Sequence, residues 1–285
     1  LADIKNCHDL RFLVQQGGCI DARLFCKELK NILKKKGVEF LFGEEVVDIK
    51  VGDNSGRITS IITQKQENNV SKNRQIIGDD FVFSTGADVK TREKLGFNIP
   101  VAGLAGVTLT LPLPPVNSGD NTDLPAFPTQ PIKLITKDGT IVISPLINTN
   151  GERSIRVGGT FGFADKGTNS NFSFEKGFGK HALDTLVHHL NEDKSPLKQL
   201  MRWIDSNAPD TPDSERYHAW IGVRPIAPDL MPVIGTLERN GREIPNAYFN
   251  GLHAFAGTSY APVCATLSTQ LMNGEKMHID GIDDD

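Results

Sequence analysis

The chain has 285 residues, 38% of them apolar and 23% charged, and a formal net charge of -4. That length suits one large domain or two moderate ones, and the balance is that of a globular protein. The slight acidic excess excludes a basic field for nucleic acid, and no run of about eighteen apolar residues offers a transmembrane helix.

Cys7, Cys19, Cys26 and Cys264 show neither C-x-x-C spacing nor a zinc pattern. Reduced thiols in a cytoplasmic-type setting are the expectation. The chain begins with Leu1 and has no signal-peptide pattern, so a fragment is expected.

Residues 1–16 carry no clear element. Gly17-Gly18-Cys19-Ile20-Asp21 reads as a turn ending in an N-cap, and Leu24, Phe25, Leu29, Ile32 and Leu33 follow at helical spacing. Lys34-Lys35-Lys36 falls in the last turn, a solvated helix end, with Gly37 at the C-cap. Strands are expected at Val38–Phe42, from Gly43 to Ile49 and from Arg57 to Gln64, with a polar hairpin tip at Gln66–Arg74. The run Phe81-Val82-Phe83-Ser84-Thr85-Gly86-Ala87 reads as a buried strand ending at a loop, where Gly86 lets a ligand approach the backbone.

Ala102–Leu111 alternates like a strand, and Pro112–Pro131 is a long loop. Pro131–Leu134, Thr140–Leu146 and Ser154–Thr160 give three more strands, suggesting an antiparallel sheet. Phe178–Leu190 reads as an amphipathic helix with Leu183, Leu186, Val187 and Leu190 on one stripe. His181, His188 and His189 lie on it. His181 and His188 share a face, but no carboxylate or cysteine completes a metal set, so surface histidines are expected and no metal. Leu197, Leu200, Met201 and Ile204 mark a second helix, and Asn207–Ser214 a polar linker. Pro262–Met272 reads as a last helix stopped by Gly274, followed by the acidic tail Asp283-Asp284-Asp285.

The most informative stretch runs from Trp220 to Ser259. It opens Trp220-Ile221-Gly222-Val223-Arg224-Pro225, continues through Pro228-Asp229 and Pro232-Val233-Ile234-Gly235, and closes on the strand Ala247–Gly251 and Leu252-His253. Arg224 sits in a nearly uncharged segment. Burying it is costly unless an anion meets it, and its planar fork suits a carboxylate. A structural ion pair with Asp229 is the alternative. His253 reads equally as a satisfied core histidine. Tyr217 and Tyr260 flank the segment, with core packing as the simpler role for each.

This stretch resembles the W-x-G-x-R-P, D-x-x-P-x-I-G and G-H signature of the FAD-dependent D-amino acid oxidase family, and is most similar to its bacterial D-amino acid dehydrogenase branch. The resemblance implies a mixed α/β fold: the later part of a FAD-binding Rossmann-like domain, residues 1–99 and 216–285, plus an antiparallel-sheet substrate domain, residues 100–215. It implies FAD as cofactor and a small amino acid as substrate, with Arg224 and Tyr260 on the substrate. Val46, Thr85, Gly86, Ala87, Gly251, His253, Ala254, Gly257, Thr258 and Ser259 are implied on the cofactor. No acid–base residue is implied, because hydride transfer from a neutral amine needs none. Glycine or sarcosine oxidation, or a non-catalytic module binding a partner chain, are the alternatives.

Two departures matter. The branch's G-H-G-x-x-G reads Leu252-His253-Ala254-Phe255-Ala256-Gly257 here, replacing two glycines, and Ala105 stands where the branch carries lysine. The dinucleotide fingerprint G-x-G-x-x-G is absent from these 285 residues; Gly158-Gly159-Thr160-Phe161-Gly162 has the wrong spacing and matches instead the family's G-G strand end. The pyrophosphate unit is therefore expected to be lost by truncation or carried on a separate chain. The expected location is cytoplasmic, or peripheral to a membrane if a quinone chain accepts the electrons.

Overall fold

Helix α1 (Ala22–Lys35) starts where the sequence places it. The Asp21 carboxylate accepts the first-turn amides of Arg23 at 3.0 Å and Leu24 at 3.2 Å. The computed structural model describes residues 11–14 and 20–279, apart from 54, 68–69, 89–92, 94, 98, 115–129, 148–149 and 165–172. Cys7, the turn at 17–19, most of the 112–131 loop and the acidic tail lie outside the described residues. The chain mixes helices with mainly antiparallel sheets and divides into two compact units. The first comprises residues up to Lys36 with Ala105–Gly162 and Asn171–Gly222. The second comprises Gly37–Leu104, Phe163–Ser170 and Val223–Asp285. Helix α1 thus groups with the antiparallel sheet, although the sequence-based division put it on the flavin side.

The first unit is built on a seven-stranded sheet. Its main path runs β1 (Arg11–Val14), β7 (Ile132–Thr136), β8 (Gly139–Ile147), β9 (Arg153–Gly158), β6 (Ala102–Pro112) and β10 (Gly162–Ala164), and β11 (Trp220–Ile226) also pairs with β6. Alternation along the strands turns Leu109, Leu111, Ile143, Ile155 and Val157 to one buried face. Helices α2 (Gly177–Asn191) and α3 (Lys198–Asn207) cover it with Leu183, Leu186, Leu190, Leu200, Met201 and Ile204. Burying one such side chain contributes about 1.5–3 kcal/mol, and Leu186→Ala in this packed layer would cost about 2–5 kcal/mol. The paired glycines at the end of β9 have a steric cause. A Cβ on Gly159 would lie 2.1 Å from the Thr140 carbonyl oxygen.

Tyr217, following the short helix α4 (Asp213–Arg216), is buried in this core and donates its hydroxyl to Asp205. Burial first, then that bond, push its phenol above the ordinary range. Its role is packing.

The second unit holds two three-stranded sheets. One is antiparallel: β2 (Glu44–Val51), β3 (Ile58–Glu67) and β4 (Val70–Ile77). The other runs β12 (Val233–Arg239), β13 (Arg242–Gly251), β5 (Phe81–Phe83), with β13 and β5 parallel. Ile49, Ile58, Phe81, Phe83, Leu95, Phe97, Ala247 and Phe249 form its core. Asn246, 1% exposed, ties the sheets within that core. Its amide nitrogen donates to the carbonyls of Ile58 and Asp79, and its oxygen accepts the Ile58 amide, all at 2.8 Å.

Four elements differ from expectation. Val38–Phe42 forms no strand; Phe40 and Phe42 stack on each other at 5.7 Å instead of joining a ladder. Gln66–Arg74 is mostly paired strand rather than a tip. Polar cross-strand contacts, Gln64 to Asn73 at 3.1 Å and Lys72 to Glu67 at 2.7 Å, hold it without apolar alternation. The unplaced lead-in contributes β1. Helix α5 (Gly257–Met272) begins five residues before Pro262, whose missing N–H leaves the Thr258 carbonyl without its helical donor.

Candidate active site

The site is built from strand ends. Because β5 and β13 are parallel, with Phe83 opposite Phe249, their carboxyl ends lie side by side. Ser84-Thr85-Gly86 leaves one strand, and Asn250-Gly251-Leu252-His253 ends the other. In parallel sheets the crevice beyond these ends is where ligands bind. A cleft lies there, lined by Ser84, Gly86, Asn250, Gly251 and His253, with Pro225, Leu252, Ala261 and Cys264 closing it. Gly86 takes φ 59°, and a Cβ on it would meet nothing, so the corner keeps its backbone open toward the cleft.

The segment after β13 is held in an unusual conformation. Leu252 has φ 62° and Ala254 φ 47°, left-handed values that favour glycine. Leu252 tolerates it because its side chain is fully buried in the second core. Ala254 is held by its amide, which donates to the Pro225 carbonyl at 3.3 Å, and a bridge pairs Ile226 with His253. These contacts hold Pro225 and Ile226, both of the second unit, at the cleft. Arg224 precedes Pro225, and its guanidinium lies 5.8 Å over the Phe255 ring. Burial lowers the Arg224 pKa, yet an arginine keeps its charge. Asp229 accepts the Met231 amide at 3.0 Å in its own loop.

Polar accounting singles out this region. Among the described residues, three buried side-chain atoms lack a hydrogen-bond partner: Thr85 Oγ1, Asn250 Oδ1 and His253 Nε2. All three belong to the two strand ends. Asn250 cannot resolve its case by flipping its amide. Its nitrogen donates to the Cys264 carbonyl at 3.3 Å and the Ser268 hydroxyl at 2.8 Å, and a carbonyl must have a donor. Burial lowers the His253 pKa and raises that of Cys264, so the imidazole is neutral and the thiol protonated near neutral pH. Helix α5 opens beside them with no side-chain cap, leaving its first-turn amides to a ligand or water.

A scan of protein families matches the FAD dependent oxidoreductase model, DAO, to residues 6–271. The chain belongs to the DAO family of FAD-dependent oxidoreductases. Its curated relatives include a D-amino acid dehydrogenase from Granulibacter bethesdensis, 26% identical over 92% of this chain and 51% of the relative. Another, from Methylobacterium nodulans, is 28% identical over 91% of this chain and 50% of the relative. The chain thus spans about half the length of the curated relatives it matches. Among solved structures, the Bacillus halodurans glycerol-3-phosphate dehydrogenase complexed with FAD superposes with a TM-score of 0.54. It is 17% identical and covers 90% of this chain and 44% of that one. At that identity the likeness shows the fold alone.

The residues present suit a polar edge of the family's cofactor. Unmet donors and acceptors, an uncapped helix N-terminus and an open glycine corner converge on one cleft. Of the residues expected on the cofactor, Gly86, Gly251 and His253 line the cleft, and Thr85 adjoins it. Ala87 is buried just beyond the corner. Ala254, Gly257, Thr258 and Ser259 form the turn and helix start next to it. Val46 packs against the second core rather than lining the cleft, and Tyr260, 39% exposed on α5, is not among the lining residues. Asn250 and Cys264 are lining residues that sequence reasoning missed. The available signal was an amide closing the apolar run Ala247-Tyr248-Phe249. Among the described residues no helix is long and apolar enough to cross a membrane.

Proposed function

We propose that this chain forms the ring-facing and substrate-facing part of an oxidoreductase that oxidises the amine of a D-amino acid or similar small amino acid. The observation carrying this reading is the convergence of three unmet buried polar atoms at the carboxyl ends of β5 and β13, next to the half-buried cation of Arg224. In such a reaction the α-hydrogen leaves the substrate as hydride with two electrons, the nitrogen gives up a proton, and the amine becomes an imine. FAD, when bound, supplies the hydride acceptor.

The chain's residues do the positioning. Arg224 grips the substrate carboxylate through two parallel bonds, which fixes the direction of the α-hydrogen. Thr85, Asn250 and His253 meet cofactor edge atoms, and the first amides of α5 favour electron-rich groups. A unit outside these 285 residues cradles the pyrophosphate.

The test uses purified protein with FAD. Weak FAD binding by the 285-residue chain is expected, followed by substrate-dependent loss of the oxidised flavin's visible band once a dinucleotide-binding unit is supplied. The substrate panel contains D-amino acids, glycine and sarcosine. Bleaching by a non-amine substrate alone overturns the reading, and tight stoichiometric FAD in the 285-residue chain overturns the external cradle.

A further inference from the structure

The last turn of α2 carries a second cluster, in the first unit and apart from the cleft residues. His189 was expected on the surface, but it is 2% exposed. Both of its ring nitrogens face carboxylates: Nδ1 lies 2.6 Å from Glu192 Oε1, and Nε2 lies 2.8 Å from Asp138 Oδ2. A neutral imidazole has one N–H. If Nε2–H is donated to Asp138, the Nδ1 lone pair points at lone pairs of Glu192, which is repulsive unless a cation sits between. A proton meets that demand with two groups. Here a third donor converges, since His188 Nε2 lies 3.7 Å from the same Glu192 oxygen. The ligand atoms of His188, His189 and Glu192 all lie within 4.8 Å of one another.

We infer that His188, His189 and Glu192 form a site for a divalent transition metal of the zinc type, with Asp138 orienting His189 from behind. Two imidazoles and a carboxylate suit zinc. Tetrahedral zinc with bonds of about 2.0–2.2 Å sets its ligand atoms roughly 3.3–3.6 Å apart. The 3.7 Å pair is already near that spacing. The 2.6 Å pair opens by less than about 1 Å, and the exposed His188 ring turns to close the rest. Asp138 supplies the carboxylate that a metal-bound histidine needs on its other nitrogen. The helix C-terminus adds its own negative end, which favours a cation. Asp138 lies in the β7–β8 turn, so the metal would pin that hairpin to the end of α2.

The test is calorimetric titration of metal-free protein with Zn²⁺, with Co²⁺ as a visible-absorption probe of tetrahedral geometry. One equivalent should bind. His188→Ala, at an exposed position, should keep the melting curve of the metal-free protein and weaken binding at least about tenfold. Asp138→Asn should weaken it about 10–100-fold, while His181→Ala on the same helix should leave it unchanged. Absence of stoichiometric binding in the wild type overturns the inference. So does wild-type affinity in His188→Ala, which would place the ion on other side chains.

Discussion

Strand β13 holds two asparagines, one at its middle and one near its end, and the two are treated oppositely. At the middle, Asn246 is buried with its oxygen and its nitrogen both engaged by the backbone of β3 and of Asp79. At the far end, Asn250 anchors its nitrogen to α5 and leaves its oxygen buried without a donor. Within five residues the strand passes from a polar group spent on folding to one held for something else. An unmet buried acceptor costs about 1–3 kcal/mol. Left-handed Leu252 and Ala254 add backbone strain at the same end. The comparison teaches where to look: unmet polar atoms collect at the carboxyl ends of β5 and β13, two left-handed residues follow the second, and both ends face the cleft.

Substitution sharpens the contrast. Asn246→Ala removes three bonds, two of them fully buried, and orphans an amide and two carbonyls, so a loss of about 3–5 kcal/mol is expected by urea unfolding. Asn250→Ala should cost only about 1 kcal/mol, because removal of the orphaned oxygen offsets part of the lost anchoring. Equal losses would break the comparison. In a flavin-loaded, active preparation, Arg224→Lys keeps the charge and loses the planar fork. A fall of at least about tenfold in kcat/KM is expected, about 1.4 kcal/mol, and a larger one for Arg224→Ala. An unchanged KM together with a lowered melting point would return Arg224 to a structural role.

Ala254→Gly relieves a left-handed alanine at some cost in chain entropy. A gain of up to about 1 kcal/mol in thermal stability is expected. The smallest effect is the pH dependence of His253. Its folded pKa lies below the ordinary 6.5 because of burial. Its stability contribution is therefore complete above pH 6.5 and falls as pH drops through the lowered folded value. Melting curves across that window should slope for the wild type and flatten for His253→Gln.

Much of this was legible in the sequence because it rests on local rules. The Asp21 cap, the α2 stripe and the strand-loop corner at Thr85-Gly86 follow from spacing alone. The motif around Arg224 and His253 pointed to the segments that meet at the cleft. What was illegible depends on partners distant in sequence. Val38–Phe42 is apolar enough for a strand but pairs with none. His189 looked like its neighbour His188 because burial by the β7–β8 turn leaves no mark on helical periodicity. Asn250 became visible only when β5 was placed beside β13.

That pairing has a kinetic side. Asn246 reaches back 188 residues to Ile58, and β13 adds to β5 at a comparable separation. Contacts so far apart close slowly, since the loop entropy is lost before the contact is made. At about 5–20 residues per second of synthesis, the Ile58 strand waits roughly 10–40 s for its asparagine to emerge. Until then the edge of β5 that β13 will cover is an open template, with Phe81 and Phe83 not yet packed. The cleft thus cannot form until β13 and α5 have emerged, and until then Phe81 and Phe83 stay open to aggregation.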